Sequence, residues 1–239
     1  MLRLTLASVM LVGLSLVGCG DAADPDPAPT AEPAPATPVA DSAAPDTTDA
    51  VTVVFFGDSL TAGYGLANPG REAYPARVGE RLAEAGVDAQ IVNAGSSGET
   101  SAGGLRRVDW VLRRSPPDVF VLALGANDML RGQPPAATRE NLTAIVAKVR
   151  AAAPEAEIVI AGMEALPNLG ADYVALFRAV FRDLADETGA AFVPFLLDGV
   201  GGVAALNQPD GVHPTAEGHA RMAETVWPEL EGAARRAAG

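Results

Sequence analysis

Polar residues that could carry out acyl transfer follow several separate apolar segments of the chain. Ser59 lies in a glycine-rich stretch directly after an apolar run, and Gly95 and Asn127 each follow a further run of this kind. Near the C-terminus, an Asp210-x-x-His213 pair precedes the last amphipathic segment. Together they supply a hydroxyl, a backbone amide, a carboxamide and an imidazole paired with a carboxylate. Nucleophilic catalysis at a carbonyl carbon needs these groups.

These residue types predict a serine hydrolase. Ser59 needs a base to remove its proton, and His213 can be that base while Asp210 accepts the other ring N–H and holds the tautomer. The negative oxygen that forms on the attacked carbonyl needs hydrogen-bond donors already aimed at it. We expect three donors: the backbone amides of Ser59 and Gly95, and the side chain of Asn127.

Alternating strands and helices must bring these residues together. Apolar residues at helical spacing, such as Tyr74, Val78 and Leu82, lie between strand-like segments. The alternation predicts a three-layer α/β/α domain, because parallel neighbouring strands require a crossover connection. Ligands of such sheets bind outside the carboxyl ends of the strands, where all the candidate residues are expected. The continuous β-branched and aromatic runs that predict five buried parallel strands are 51–56, 90–93, 119–124, 158–161 and 191–193.

Several other polar residues are assigned structural roles at this stage. Asp58 adjoins Ser59 but should point in another direction, so we expect it to support the turn. Asp128 is expected to cap or brace the loop that carries Asn127. His219 should face away from the site on the last helix, as a surface or packing residue.

Charged residues elsewhere permit other interpretations. Glu99 and Glu164 could act as a glycosidase carboxylate pair only if they were adjacent, and nothing in the sequence places them together. An exposed, arginine-rich helix face is the expected setting of Arg106, Arg107, Arg113 and Arg114.

The polar blocks resemble those of the SGNH, or GDSL, hydrolase family, which contribute Ser, Gly, Asn and His in this order. The resemblance covers nearly all of residues 51–239 and implies a flavodoxin-like fold, a Ser59 nucleophile, Asp210 as the triad acid in a D-x-x-H block, and no metal or organic cofactor. The chain is similar to the branch of bacterial arylesterases and acyl-CoA thioesterase I, which is also known for lysophospholipase activity. This similarity rests on segments 63–66, 93–95, 100–105 and 130–132.

Composition excludes several other classes of protein. The chain has 17 Lys and Arg against 30 Asp and Glu, a formal charge of −13. Such a charge argues against nucleic acid as a partner, because affinity for phosphate backbones rests on basic residues. One cysteine and two histidines cannot form an intrachain disulfide or a zinc finger.

The N-terminal region predicts export and membrane anchoring. Residues 1–18 read as a signal peptide, whose uncharged segment 4–18 is shorter than the about 20 residues of a membrane span. The sequence ending at Cys19 resembles the bacterial lipobox, which implies lipidation of that cysteine. Residues 19–50, rich in Ala, Pro and Asp, are expected to be an extended tether, and 51–239 the hydrolase domain. We therefore expect an extracytoplasmic lipoprotein anchored on the periplasmic face, the outer membrane or the cell surface.

The expected function is hydrolysis of carboxylic esters or thioesters through an acyl-Ser59 intermediate. Aryl esters, short or medium acyl esters and lysophospholipids are the substrate classes that the resemblance implies. A carbohydrate O-acetyl esterase is the alternative, because it would use the same blocks with different loops. A non-enzymatic surface binding lipoprotein is less favoured, since a pure binder has no need of Ser59, Asp210 and His213. The sequence leaves the oligomeric state open.

Overall fold

The computed structural model describes residues 50–239. Two short 3₁₀ turns, Pro167–Leu169 and Ala204–Leu206, interrupt its loops. The strands are β1 (Val51–Gly57), β2 (Ala89–Gly95), β3 (Val119–Ala123), β4 (Glu157–Ala161) and β5 (Ala191–Val193). The helices are α1 (Ser59–Ala62), α2 (Pro69–Glu72), α3 (Tyr74–Glu84), α4 (Ser101–Arg114), α5 (Ala126–Leu130), α6 (Pro135–Ala152), α7 (Ala171–Thr188) and α8 (Ala216–Ala237).

The five strands form one parallel sheet in the order β2-β1-β3-β4-β5. The strand order reverses at β1, because the chain adds β2 on one side of β1 and then β3 on the other. Gly57, the last residue of β1, is in register with Gly95 of β2 and with Ala123 of β3. The loops that follow these three strands therefore start at the same edge of the sheet.

Helices cover both faces of the sheet. Phe55 and Phe56 are adjacent in β1, so their side chains point to opposite faces. Phe55 makes an edge-to-face contact with Tyr74 at the start of α3, whereas Phe56 lies against Gly104 of α4. Helix α8 packs beside α3, and α6 packs against α4 and α7. The predicted three-layer α/β/α fold with five parallel strands is confirmed.

Burial differs between the strands in a way that matches the character of their sequences. Every residue of β3 and all but one residue of β1 are buried, which matches their continuous apolar runs. Strand β2 lies at the edge of the sheet and is only partly buried, so its sequence is mixed. Its observed range of Ala89–Gly95 is longer than the predicted segment 90–93.

The predicted signal peptide, Cys19 and nearly all of the tether lie outside the described residues. The boundary between tether and hydrolase domain therefore stays a prediction. Within residues 50–239, no helix is long and apolar enough to cross a membrane.

His219 is a buried packing residue of α8, with 1% of its surface exposed. Its Nδ1 accepts a hydrogen bond from the backbone N–H of Tyr74 at 3.2 Å. The Tyr74 hydroxyl in turn lies 3.0 Å from the hydroxyl of Thr61 in α1. Burial, with smaller contributions from the charges of His213 and Arg77, lowers the pKa of His219 to about 4. This histidine is therefore neutral in the folded protein at neutral pH and links α8 to α3.

The His219 shift makes folding depend on pH. The unfolded chain takes up a proton at this ring near pH 6.5, whereas the folded protein does so only near pH 4, so acid favours unfolding through this group. We expect the free energy of unfolding of the wild type to fall, relative to that of His219→Gln, by on the order of 3 kcal/mol between pH 7 and pH 4. Urea denaturation of both proteins across this range measures the difference. Parallel stability curves would contradict this account of His219.

Candidate active site

Ser59 is the first residue of α1, immediately beyond the end of β1. Asp58 caps this helix, because its Oδ1 accepts the Leu60 N–H at 3.0 Å. The helix can lie directly on the strand ends only because glycines occupy them. A Cβ at Gly57 would lie 2.0 Å from the Thr61 hydroxyl oxygen, and one at Gly95 would lie 2.3 Å from the backbone nitrogen of Ala62.

The structure brings the predicted triad residues into one hydrogen-bonded chain. The Ser59 Oγ lies 3.0 Å from the Nε2 of His213, and the Nδ1 of the same ring lies 2.7 Å from the Oδ2 of Asp210. With the Nδ1–H tautomer, His213 donates a hydrogen bond to Asp210 and its Nε2 accepts a hydrogen bond from the Ser59 hydroxyl. The imidazole is thereby oriented to take that proton during attack.

Asp210 is held ionised by its own loop. Its Oδ1 accepts the backbone N–H groups of Val212 at 2.9 Å and of His213 at 3.0 Å. These bonds, together with the bond from the His213 side chain, lower the pKa of Asp210 to about 2, the backbone bond from His213 contributing most. Because three hydrogen bonds favour the charged form, Asp210 stays a carboxylate throughout the range in which histidine titrates.

Two residues to which the sequence analysis assigned no role, Tyr64 and Gln208, contact the His213 loop. The Tyr64 ring lies 4.6 Å from the His213 ring, centroid to centroid. The Gln208 side chain donates to the backbone oxygens of Tyr64 at 2.8 Å and of Pro214 at 2.9 Å. Gln208 therefore ties the segment that carries His213 to the loop that follows α1. No motif indicates this contact, because Gln208 and Tyr64 are 144 residues apart.

Asn127 lies in the first turn of α5, after β3, and its side chain reaches across to Asp58. Its Nδ2 donates to the Oδ2 of Asp58 at 3.2 Å. Asp58 is 2% exposed, and this burial raises its pKa to about 6, against the lowering effects of its hydrogen bonds and of the nearby His213. The expected support of the turn by Asp58 is observed in its capping bond to Leu60, and the contact with Asn127 is an additional one.

The structure places Gly95 differently from the other predicted oxyanion donors. Its backbone N–H donates to the Oδ1 of Asn93 at 3.0 Å, while the Nδ2 of Asn93 donates to the backbone oxygen of Thr61 at 2.8 Å. Asn93 thus fastens the end of β2 to α1. Gly95 lies against the backbone of α1 at Thr61 and Ala62, and it is not among the residues that line the cleft described below.

Asp128 braces the loop that carries Asn127, as expected. Its two oxygens accept the backbone N–H of Ser101 at 2.8 Å and the Ser101 hydroxyl at 2.6 Å. The Ser101 hydroxyl also accepts a bond from Asn141 of α6. These bonds tie α5 to the start of α4.

Arg107 corrects one sequence-based expectation. Its side chain is not part of an exposed arginine face: it forms a short ion pair with Glu99, donates to the Ala94 backbone oxygen at 2.9 Å and lies over the Phe56 ring. Glu99 lies in the turn after β2, and Ala94 lies in β2 itself. These two contacts hold the Arg107 side chain against the strand, which covers one side of it. Arg106, Arg113 and Arg114 are exposed, as expected.

Ser59 lines a cleft of about 470 Å³. The side chains that line it are mostly apolar, and Ser59, Asn127 and His213 are among its polar groups. Four large apolar side chains of the cleft are also strongly exposed and form its rim, which we name the apolar rim: Tyr64, Leu130, Leu166 and Val212. Deeper apolar contacts come from Leu60, Met129, Met163, Ala165, Phe195 and Leu197. The cleft therefore combines a nucleophile with a surface suited to hydrocarbon.

Glu99 and Glu164, which the sequence analysis considered as a carboxylate pair, each form an ion pair with an arginine. Glu99 pairs with Arg107, and Glu164, at the edge of the cleft, pairs with Arg178 at 3.0 Å. Both carboxylates thus have basic partners from neighbouring helices.

An open parallel sheet with a hydroxyl–imidazole–carboxylate chain at its carboxyl edge defines a serine hydrolase, and comparison with known proteins specifies the family. Residues 55–221 match the GDSL-like Lipase/Acylhydrolase family. The esterase TesA of Pseudomonas aeruginosa is 40% identical over 182 residues, which cover 76% of this chain and 89% of that protein. An arylesterase of Vibrio mimicus is 33% identical over 74% of this chain and 87% of its own length.

Solved structures agree with the sequence relatives. A crystal structure of TesA superposes with a TM-score of 0.72 at 40% identity and covers 76% of this chain and 99% of its own. A psychrotrophic esterase of a Pseudoalteromonas species superposes with a TM-score of 0.70 at 31% identity, over 76% and 97% of the two chains. The chain therefore belongs to the GDSL-like lipase/acylhydrolase family, and it is a serine hydrolase of carboxylic esters.

Proposed function

We propose that Ser59, His213 and Asp210 form the catalytic triad. The Ser59 oxygen attacks the ester carbonyl carbon while His213 takes the hydroxyl proton and then delivers it to the departing alcohol or thiol. Water, deprotonated by the same imidazole, next attacks the carbonyl carbon of the acyl-Ser59 ester; the bond to the Ser59 oxygen breaks, the imidazolium returns the proton to that oxygen, and the carboxylic acid leaves. Asp210 accepts the His213 N–H throughout and stabilises the imidazolium that forms in each half-reaction. The 3.0 Å approach of Ser59 to His213 is the observation that carries this proposal.

The same proposal includes the oxyanion hole. The Nδ2 of Asn127 carries two hydrogens, and only one of them is used in the bond to Asp58, so the other can meet the developing oxyanion. The amide of Ser59, at the start of α1, is the second donor. Gly95 can join them only by sharing an N–H that is already bonded to Asn93.

Two substitutions test these roles. We expect Ser59→Ala to lower kcat by about 10⁴-fold or more, because the nucleophile is lost, and Asn127→Ala to lower kcat by about 10²–10³-fold, because one oxyanion donor is lost. Hydrolysis of p-nitrophenyl butyrate at constant protein concentration measures both. Ser96→Ala, a serine substitution outside the triad, is the control and should retain turnover. Near-native turnover of Ser59→Ala would reject the triad.

We further propose that the acyl group of the substrate is apolar and longer than acetyl. The support is the lining of the cleft, which is mostly apolar and includes the four exposed side chains of the apolar rim. Relatives are named esterase, arylesterase and, in Escherichia coli, thioesterase 1/protease 1/lysophospholipase L1. Medium-chain acyl esters, aryl esters and lysophospholipids are the candidate substrates. A carbohydrate O-acetyl esterase would instead need polar groups where the rim presents Leu130, Leu166 and Val212.

The length dependence of turnover tests the acyl preference. We expect kcat/KM for p-nitrophenyl esters to rise from acetate towards medium chains by up to about fourfold per methylene, because each buried CH₂ contributes about 0.8 kcal/mol. Leu130→Asp should raise KM for the decanoate by about tenfold and leave that for acetate nearly unchanged, since the new charge disfavours burial of a long chain. Leu176→Asp is the matched control, because Leu176 is also an exposed leucine but lies outside the residues that line the cleft. Highest kcat/KM with acetate would favour the carbohydrate esterase.

We also propose that the mature protein is a lipoprotein held outside the cytoplasm through Cys19. The support is the position of the chain's single cysteine directly after an uncharged apolar segment, followed by a Pro- and Ala-rich segment that suits a tether. The substrates that such an enzyme meets are extracytoplasmic esters rather than cytoplasmic coenzyme A thioesters.

Metabolic labelling tests the anchor. We expect the full chain, expressed in a bacterial host, to incorporate labelled palmitate and to sediment with membranes, and Cys19→Ser to do neither, because the acceptor thiol is lost. Ser15→Ala, in the apolar segment before the cysteine, should behave as the wild type. Equal incorporation by Cys19→Ser would contradict lipidation at this position.

A further inference from the structure

We propose that Asp58 is a positioning residue of the oxyanion hole: its side chain holds the Asn127 carboxamide so that an N–H, and not the carbonyl oxygen, faces the reacting carbonyl. This inference rests on the oxyanion role proposed for Asn127 and assigns a second task to a residue that the sequence suggested only as a turn support.

The two oxygens of Asp58 have different partners. Oδ1 accepts the Leu60 N–H and thereby caps α1, whereas Oδ2 accepts from the Asn127 Nδ2 at 3.2 Å. Asp58, Ser59 and Asn127 all line the same cleft. The carboxylate thus connects the start of α1, after β1, to α5, after the neighbouring strand β3.

The chemistry of a carboxylate decides which way the carboxamide points. An Asn side chain has nearly the same shape when its oxygen and nitrogen are exchanged, so packing alone distinguishes the two orientations weakly. An ionised carboxylate only accepts hydrogen bonds, so it binds the NH₂ group and repels the carbonyl oxygen. With one N–H of Asn127 fixed on Asp58, the other is directed by the planar geometry of the amide.

Burial of this acid needs an explanation beyond capping. Asp58 is 2% exposed, and the loss of solvation raises its pKa to about 6, so it is ionised in assays near pH 8. Asn and Ser cap helices about as well as Asp without carrying a charge. The titratable groups that act on Asp58 from other elements are His213, which favours its charged form, and the buried hydroxyl of Tyr74, whose own pKa is raised further by the carboxylate. The cap of α1 needs only one acceptor oxygen. The bond to Asn127 needs the second oxygen to be an acceptor as well, and a carboxylate provides both.

The substitution Asp58→Asn separates the two tasks. Its side-chain oxygen can still accept the Leu60 N–H, so the cap of α1 is kept. Its NH₂ group then faces Asn127, and two donors in contact are unfavourable. Asn127 relieves this by turning its carbonyl oxygen towards residue 58, or else moves away, and in either case its N–H is lost from the oxyanion.

A double-substitution cycle tests the proposal on the full chain with p-nitrophenyl butyrate at pH 8. We expect Asp58→Asn to lower kcat by about 10²-fold, close to the effect of Asn127→Ala, with KM changed less than about threefold. In the Asn127→Ala background, Asp58→Asn should lower kcat by less than about fivefold, because the group through which it acts is already missing. A residue that only supports the turn would give the same loss in both backgrounds.

Three outcomes overturn the inference: kcat of Asp58→Asn within about threefold of the wild type, multiplicative losses in the double variant, or a loss that appears in KM alone. If Asp58→Asn fails to fold, Asp58→Ser, which also keeps a capping oxygen, is used in the same cycle with the same criteria. The triad is tested separately: an inactive Ser59→Ala together with multiplicative losses would leave the proposed function standing and remove only the role of Asp58.

Discussion

The pairing of β1 with β2 on one side and with β3 on the other determines where the reacting groups meet. Because the three strands end in register, the residues that follow β1 and β3 are immediate neighbours. Ser59 and Asn127 come together for this reason, although the chain between them forms two complete strands and three complete helices. Ligand-binding crevices of open parallel sheets form at such a reversal of strand order. The close approach of α1 to Gly57 and Gly95 then places the serine directly on this edge.

Two aspartates of the site show how the same type of side chain takes different roles in different environments. Asp210 is exposed, receives two backbone N–H groups and the His213 ring, and has its pKa lowered to about 2. Asp58 is buried between two strand ends and has its pKa raised to about 6. The first carboxylate is therefore a constant negative charge beside the imidazole. The second is costly to bury, and its hydrogen bonds to Leu60 and Asn127 offset part of that cost.

Apolar side chains and the polar groups of Ser59, Asn127 and His213 line the same cleft. Helix α5 contributes to both, since Asn127 donates a hydrogen bond to Asp58 while Met129 and Leu130 are among the apolar side chains that line the cleft. Asp128 of the same helix is bonded to Ser101 of α4 and so fixes the position of the whole turn. One short helix thus contributes both a polar group and apolar side chains to the cleft.

The amino-acid sequence by itself determined the strands, the alternation with helices and the identity of the candidate triad. The apolar runs of β1 and β3 report burial on both faces, and Asp210 and His213 are three residues apart, so their contact is a local property of one turn. Glycine at positions 57 and 95 also marks where backbones approach closely, but the sequence does not say against what.

Tertiary structure alone decided the contacts between distant segments. Asp58 meets Asn127 across 69 residues, and His219 accepts the Tyr74 N–H across 145 residues. Periodicity indicates that a residue faces inward, but it carries no information about which donor or acceptor lies opposite. Arg107 was expected at the surface for this reason. Hydrogen bonds and pKa values depend on atomic positions to within a fraction of an ångström, and those positions exist only once the helices are packed on the sheet.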